Sequence, residues 1–353
     1  MKKNAMYRLA RWTALLLVLC LLPVFTLNEA AAEDSDWITF LLICNEGMNN
    51  DRGNAGNTLM VAAMDPNRGK IHLMMFTWDT FVDYEGYDVP QKLDMPYRNN
   101  GPEESMKVFN DNFGLNINHY LSLNYLNLAS LIDEYGGVTV DLSRAERNAL
   151  NGMVASKKVR LQEEIASGFL SQLVIDMLAQ DYYLNDFGPD THLKGLQGVG
   201  YGWLQYDSVY NCCERDAEVI ASLFHSVGTF LSNRVALYTD ETGKPESTEG
   251  KRPINLDSVT DDDYAFLFKM IAPIFEMSAN NMEEEEIRAI TLSLARIALQ
   301  AQREGTDIFD LLHTTVLPLE ATQPYDTVAG AQGHLIDKEA NITAIRKFLY
   351  SDD

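Results

Sequence analysis

Positive charge is what this chain lacks most: its 353 residues carry 28 Lys and Arg against 51 Asp and Glu, a formal net charge of −23. Phosphate backbones are gripped by clustered Lys and Arg, and no dense basic block occurs, so the sequence predicts no nucleic-acid partner. An acidic surface suits solubility or a cationic setting and does not by itself identify a partner. Cysteine is scarce too, with four in the chain. Cys20 lies in the N-terminal apolar run, which leaves Cys44, Cys212 and Cys213. In an exported chain an odd number leaves at least one free thiol or an intermolecular bond. No Cys-x-x-Cys or Cys/His spacing of zinc type occurs, so no structural metal is assigned to them. Also missing are a Gly-x-Ser-x-Gly elbow, a phosphate-binding Gly-rich loop with Lys-Ser or Lys-Thr, and His-Glu-x-x-His. A thiol nucleophile needs a base, and no His stands beside Cys212 in sequence.

Hydrophobic residues are plentiful at 46%, enough for a sizeable core. The N-terminus reads Met1-Lys2-Lys3 through Arg8 and Arg11, then an apolar run over 13–27, then Ala30-Ala31-Ala32. Basic flank, short apolar core and small-residue site are the three parts of a secretory signal, so residues 1–32 are read as one, cleaved after Ala32. An uncleaved anchor is the alternative, although the run is shorter than the roughly 20 residues that span a bilayer and Pro23 interrupts it. Either way the bulk of the chain is expected outside the cytoplasm, secreted or held at the outer face of the cytoplasmic membrane.

Beyond residue 36 the pattern predicts one large α/β domain, 36–353, with a mixed central sheet flanked by helices. The unbroken apolar run 37–44 reads as a strand buried on both faces. Residues 45–57, rich in Asn, Gly and Asp, read as loop. Strands at 58–64 and 71–76 flank a turn, Asp65-Pro66-Asn67-Arg68-Gly69-Lys70, and make a hairpin. A helix starts at Pro102, shows Met106, Phe109 and Phe113 on one face, and stops at Gly114. A strand at 118–123 leads to Asn124 as the cap of a helix bearing Leu128, Leu131 and Ile132, and Gly136-Gly137 turns into a strand at 138–142. Helical spacing recurs over 162–179 and 214–231, with a turn and a strand-like piece at 193–201. Residues 232–263, rich in Asp, Thr, Gly, Pro and Glu, read as a polar surface insertion. Glu283 to Glu286 place acids in the first turn of a last long helix, where the helix dipole favours them; a calcium site is the sharper reading of that cluster.

The stretch 71–137 organises the rest. A strand empties into Thr77-Trp78-Asp79-Thr80, and the loop beyond carries Tyr84, Tyr87, Lys92 and Tyr97. Asp79-Thr80 after an apolar strand, then Lys92 and a tyrosine, Gly101-Pro102-Glu103, Asn118-His119-Tyr120 and Gly136-Gly137-Val138-Thr139-Val140 resemble the LytR-CpsA-Psr family in order and interval. The resemblance implies an exported domain that moves glycopolymers from a polyprenyl-pyrophosphate carrier to peptidoglycan at the membrane surface.

Such chemistry neutralises a pyrophosphate and holds a divalent metal, because charge builds on the leaving phosphate. Arginine forks suit the phosphates and carboxylates hold Mg²⁺. Where the family has Gly-x-Asp-x-Arg, this chain offers Glu46, with Asp51-Arg52 a little downstream. Where it has Arg-Ser-Asp-Thr, Ala55-Gly56-Asn57-Thr58 stands. Pro-Arg-Asp-Thr becomes Thr77-Trp78-Asp79-Thr80, and a later arginine run becomes Gly200-Tyr201-Gly202-Trp203-Leu204-Gln205. Arg-x-x-Arg-Gln becomes Cys212-Cys213-Glu214-Arg215-Asp216, so of those arginines only Arg215 remains. The resemblance thus assigns Asp79 and Arg215 to catalysis, Lys92, Tyr97 and Arg52 to substrate binding, and Glu46, Asn57 and Asp79 to Mg²⁺.

Plainer readings stand beside these. Asp79 caps the loop after its strand, and Arg215 forms a surface salt bridge with Glu214 or Glu218. Trp78 and Trp203 pack together over the former phosphate site, or extend the core. Two functions are therefore expected: a catalytically degenerate module that binds a polyprenyl-phosphate lipid, a cell-wall glycopolymer or an envelope partner, or an active phosphotransferase. A transcription regulator conflicts with export and acidity.

Overall fold

The computed structural model describes residues 37–45, 56–65, 68–152, 184–205, 207–237, 250–255, 258–318, 323–326, 330 and 332–350. The segment expected to be a secretory signal, most of the loop expected at 45–57 and the helix expected at 162–179 lie outside them. Fourteen strands are described: β1 Ile38–Asn45, β2 Gly56–Asp65, β3 Lys70–Phe76, β4 Thr80–Val82, β5 Gln91–Lys92, β6 His119–Asn124, β7 Val138–Leu142, β8 Gly188–Leu193, β9 Val235–Leu237, β10 Arg252–Ile254, β11 Ala279–Asn280, β12 Leu312–Leu317, β13 Gln323–Asp326 and β14 Gln332–Leu335. The helices used below are α1 Met95–Asn100, α2 Pro102–Phe113, α3 Tyr125–Glu134, α4 Gly195–Gly202, α5 Val209–Ser232, α6 Asp261–Glu276, α7 Glu284–Glu304 and α8 Lys338–Tyr350, with a further helical stretch at 144–152.

The main sheet has the order β11-β6-β1-β2-β3-β12 and is mixed: β1 pairs antiparallel with β2 and parallel with β6, while β3 pairs antiparallel with β2 and parallel with β12. Alternation sends Phe40, Cys44, Met60, Ala62, Leu73 and Met75 to one face and Leu41, Ile43, Leu59, Val61, Met74 and Phe76 to the other. Helices α3 to α7 supply the apolar residues that cover the first face. Helices α1, α2 and α8 cover the second. A strand covered on both sides has no solvent face to mark with polar residues, which is why β1 to β3 read as unbroken apolar runs. A second sheet, β13-β14-β4-β5, extends from the end of β3.

Local signals act as read. Helix α2 starts on Pro102 and ends at Gly114 in the left-handed region, φ 64°. Asn124 caps α3 by accepting from the Asn127 N–H at 2.8 Å.

Two expectations are corrected. The strand of the 193–201 region is β8, which pairs antiparallel with β7 before it, and the residues read as strand-like form α4. Its Gly-rich composition hid the helix, since Gly is a poor helix former. Within 232–263 the described residues do bury apolar groups, against the expectation of little to bury: β9 and β10 pair in parallel, and Val235 and Ile254 are fully buried in the main core. Three-residue strands, one of them Arg252-Pro253-Ile254 with a single buried apolar side chain, are too short to show against a polar composition.

Candidate functional site

The candidate site lies where β1 and β3 run out at one edge of the sheet and β2 begins. Past Phe76, the Thr77 N–H donates to the Leu317 carbonyl at 3.0 Å, and the Thr77 and Thr80 hydroxyls lie 2.8 Å apart. That turn sets Asp79. Its carbonyl accepts from the His334 N–H at 3.0 Å, its Oδ2 lies 3.4 Å from His334 Nδ1, and its Oδ1 is buried with no hydrogen-bond partner. A β-carbon on Gly333 would collide with the Asp79 carbonyl, so only glycine lets β14 approach this closely.

Arg215 lies on one side of α5, 4% exposed, and both of its terminal nitrogens are engaged with protein groups. Its Nη2 and Nη1 donate to Asp207 Oδ1 at 2.8 Å and Oδ2 at 3.0 Å, Nη1 lies 3.4 Å from Glu146, and Nη2 also donates to the Leu204 carbonyl. Such a fork is the bidentate geometry a phosphate would take, here occupied by a carboxylate. Arg215 accordingly holds the Asp207 carboxyl well below the usual carboxylate range. The surface pair expected with Glu214 or Glu218 is corrected, because Arg215 itself is buried and its acids are Asp207 and Glu146, which reach solvent. Glu218 instead accepts from the Asp141 N–H at 2.7 Å and the Tyr201 hydroxyl at 2.8 Å. Residues one and three apart on a helix do not all share a face, and Arg215 turns towards the chain that precedes α5.

Lys92 sits on β5 opposite Phe81, its Nζ 5.9 Å from the ring centroid. Tyr97 is 2% exposed, and its hydroxyl accepts from Asn45 Nδ2 and bonds Ser122 Oγ, each at 2.9 Å. It therefore ties α1 to β1 and β6 beneath the surface. Glu46 and Arg52 lie outside the described residues, as does the side chain of Asn57. Of the residues assigned to Mg²⁺, only Asp79 can be tested. Its orphaned Oδ1 is a suitable hard donor, yet among the described residues no group of three His, Cys, Asp or Glu side chains could hold a metal ion. The described donors alone do not make a magnesium site.

The former arginine positions hold other groups. Trp203 donates from Nε1 to Thr58 Oγ1 at 3.2 Å, and Thr58 donates to Asp216 Oδ2 at 2.6 Å. Among the described residues the ring that Trp203 meets is Tyr125, centroids 6.4 Å apart, and Trp78 packs separately against the core. Asp216 is buried in a sector with Cys44, Cys212 and Cys213, three free thiols. Burial pushes its carboxyl up to about 7, against the Thr58 hydrogen bond. Burial and then Asp216 push the Cys212 thiol up to about 12, so it stays protonated and a poor nucleophile. Sequence reasoning passed over Asp216, Thr58 and His334. An acid in place of the family's glutamine, between thiols on an apolar helix face, was the available signal for Asp216; His334 is remote in sequence and gave none.

Under this edge runs a narrow apolar cavity of about 80 Å³ between the first face of the sheet and α3, α5, α6 and α7, walled by Leu123, Leu128, Leu131, Phe224, Phe275 and Leu294. Cys44 and Thr58 line it as well, at the end nearest the Asp216 nest.

Residues 24–170 match the model of the LytR_cpsA_psr family. Over 85 residues the chain is 31% identical to the polyisoprenyl-teichoic acid–peptidoglycan teichoic acid transferase TagU of Enterococcus faecalis, covering 24% of this chain and 28% of that one. Over 156 residues it is 24% identical to the protein of the same name from Oceanobacillus iheyensis, covering 40% and 48%. The chain thus spans less than half the length of each of these relatives. The fold is also that of the crystal structure of B. subtilis TagV, with a TM-score of 0.56 at 14% identity over 89% of this chain and 96% of that one. Over residues 24–170 the chain thus resembles the LytR-CpsA-Psr family in its motifs and in the family model it matches, and its fold is that of the solved TagV structure.

Proposed function

We propose that this chain is a cell-envelope protein that binds a polyprenyl-linked glycopolymer and does not transfer it. The observation that carries the reading is the state of Arg215. Transfer from a pyrophosphate carrier needs cations aimed at developing phosphate charge. The one guanidinium kept from the family's later motifs is instead clamped by Asp207 and Glu146. Beside it stand an indole, three protonated thiols and a buried carboxyl. Losing a single such donor costs about 3 kcal/mol of transition-state stabilisation, and several are replaced here. The apolar cavity supports the binding half by its chemistry: its wall of Leu, Ile and Phe suits an isoprenoid tail, although at about 80 Å³ it is smaller than a small-molecule site and has to widen to admit one, and relatives are named for a polyisoprenyl-linked polymer.

The test is native mass spectrometry of protein purified from membranes, before and after delipidation and reloading with a polyprenyl phosphate. A bound polyprenyl species is expected, and it should be lost when Leu128→Trp fills the cavity. Wild-type protein that neither carries nor takes up the lipid would refute the reading. Residual transfer is the second reading, favoured by Asp79, whose buried Oδ1 has no partner and whose Oδ2 faces His334.

A further inference from the structure

A second concavity opens on the far side of α5, away from the apolar cavity. It measures about 480 Å³ and lies between α5, the outer strand β12 and β7. Its size falls within the range of small-molecule sites. Its chemistry is unlike that of the lipid slot. Exposed aromatic rings mark it, Tyr210 at 47% and Phe309 at 42%, two of five large hydrophobic residues exposed among those described. Each ring is held from behind. Tyr210 has the Glu214 carboxylate beside it, one turn on, and Phe309 stacks on His225 with centroids 4.2 Å apart and planes 11° apart. Between them the wall offers hydrogen-bonding groups: the Glu214 and Glu218 carboxylates and the Thr139 and Thr314 hydroxyls. Glu218 is fixed by the Asp141 N–H and the Tyr201 hydroxyl.

We infer that this groove is a carbohydrate-binding site for an uncharged or amino-sugar chain. Three features select that class. Aromatic rings exposed at fixed angles present flat apolar faces, on which the C–H face of a pyranose stacks. Oriented carboxylates accept hydrogen bonds from sugar hydroxyl and amide groups, and charged acceptors make the stronger ones. No Lys or Arg lines the groove, so an anionic polymer meets only repulsion there. The groove is bounded by an edge strand, which allows a chain longer than the pocket to run on past it. In the proposed envelope role the site would hold wall glycan while the other side of α5 holds lipid, so the inference extends that role without sharing its residues.

The experiment uses the full chain and two soluble probes, an N-acetylglucosamine hexamer and poly(glycerol phosphate), with binding followed by calorimetry and by tryptophan fluorescence. The hexamer should bind, the anionic polymer should not, and Tyr210→Ala with Phe309→Ala should weaken the hexamer roughly tenfold, the loss of one good aromatic contact or more. Both rings are exposed, so the double variant keeps the fold, and Thr314→Arg gives an independent block of the groove. Absence of hexamer binding, binding that neither variant alters, or equal binding of the anionic polymer would overturn the inference. Polyprenyl phosphate uptake, measured on the same three proteins, should be unchanged; a wild-type protein that binds hexamer but no lipid would leave this site standing and remove the lipid reading.

Discussion

At the scale of single residues, the site is defined by a carboxyl that does not behave as one. Asp216 is buried with Thr58 as its donor and thiols around it, and burial raises its pKa to about 7. In the unfolded chain the same group titrates near 4. Between those values the folded protein holds a proton that the unfolded chain has lost, so stability is full below about pH 4 and falls as pH rises towards 7. Asp216→Asn should therefore raise the melting temperature more at pH 8 than at pH 4.5; equal shifts at both would show that the carboxyl ionises freely. Arg215 makes a different case. Arg215 is buried but Asp207 reaches solvent and can rehydrate alone, so Arg215→Met should cost about 1.5 kcal/mol in urea denaturation, the worth of a charged hydrogen bond. Destabilisation below about 0.5 kcal/mol would show that the clamp on Asp207 is loose. Residue by residue, the sequence made the missing arginines legible, because a motif position can be compared letter by letter. It could not show where Arg215 points, since its partners Asp207 and Glu146 come from chain that folds over α5 and from no recognisable motif.

Elements carry the part that was easiest to read. Strands β1 to β3 and helices α2, α3 and α7 follow from runs, caps and periodicity that each element contains within itself. The failures, α4 and the β9–β10 pair, are segments whose identity depends on neighbours: a Gly-rich helix held between α3 and α5, and three-residue strands completed by pairing. One contact between elements bears on pH. His72 of β3 is 3% exposed, stacks on His313 of β12 with centroids 4.9 Å apart, and meets the edges of Trp37 and of Phe348 on α8. Burial, then His313 and Lys70, lower its pKa to about 4, with Asp65 opposing. Below pH 6.5 the unfolded chain takes up a proton that folded His72 refuses, so this group removes stability as pH falls towards 4. His72→Phe should flatten that acid limb in melting experiments between pH 4.5 and 7. An unchanged limb would mean that the ring reaches solvent through the β12 side.

The whole molecule is a mixed sheet with two differently used faces. One face is closed by α1, α2 and α8 over aromatic core; the other, under α3 to α7, keeps an apolar slot that ends at the Asp216 nest. The architecture was legible because strands buried on both faces leave a strong compositional trace. The site was legible only as a set of substitutions, because a site is an arrangement across distant segments and Glu46 and Arg52 lie beyond the described residues. Among the described residues no helix is long and apolar enough to cross a membrane. The central claim is that a slot for lipid remains where the cations for transfer do not. Its most direct test is incubation of the protein with polyprenyl-pyrophosphate-linked glycopolymer, Mg²⁺ and peptidoglycan, with lipid and wall-linked polymer both measured. The account predicts lipid bound to the protein and no polymer joined to the wall; polymer transfer that Asp79→Ala abolishes would contradict it.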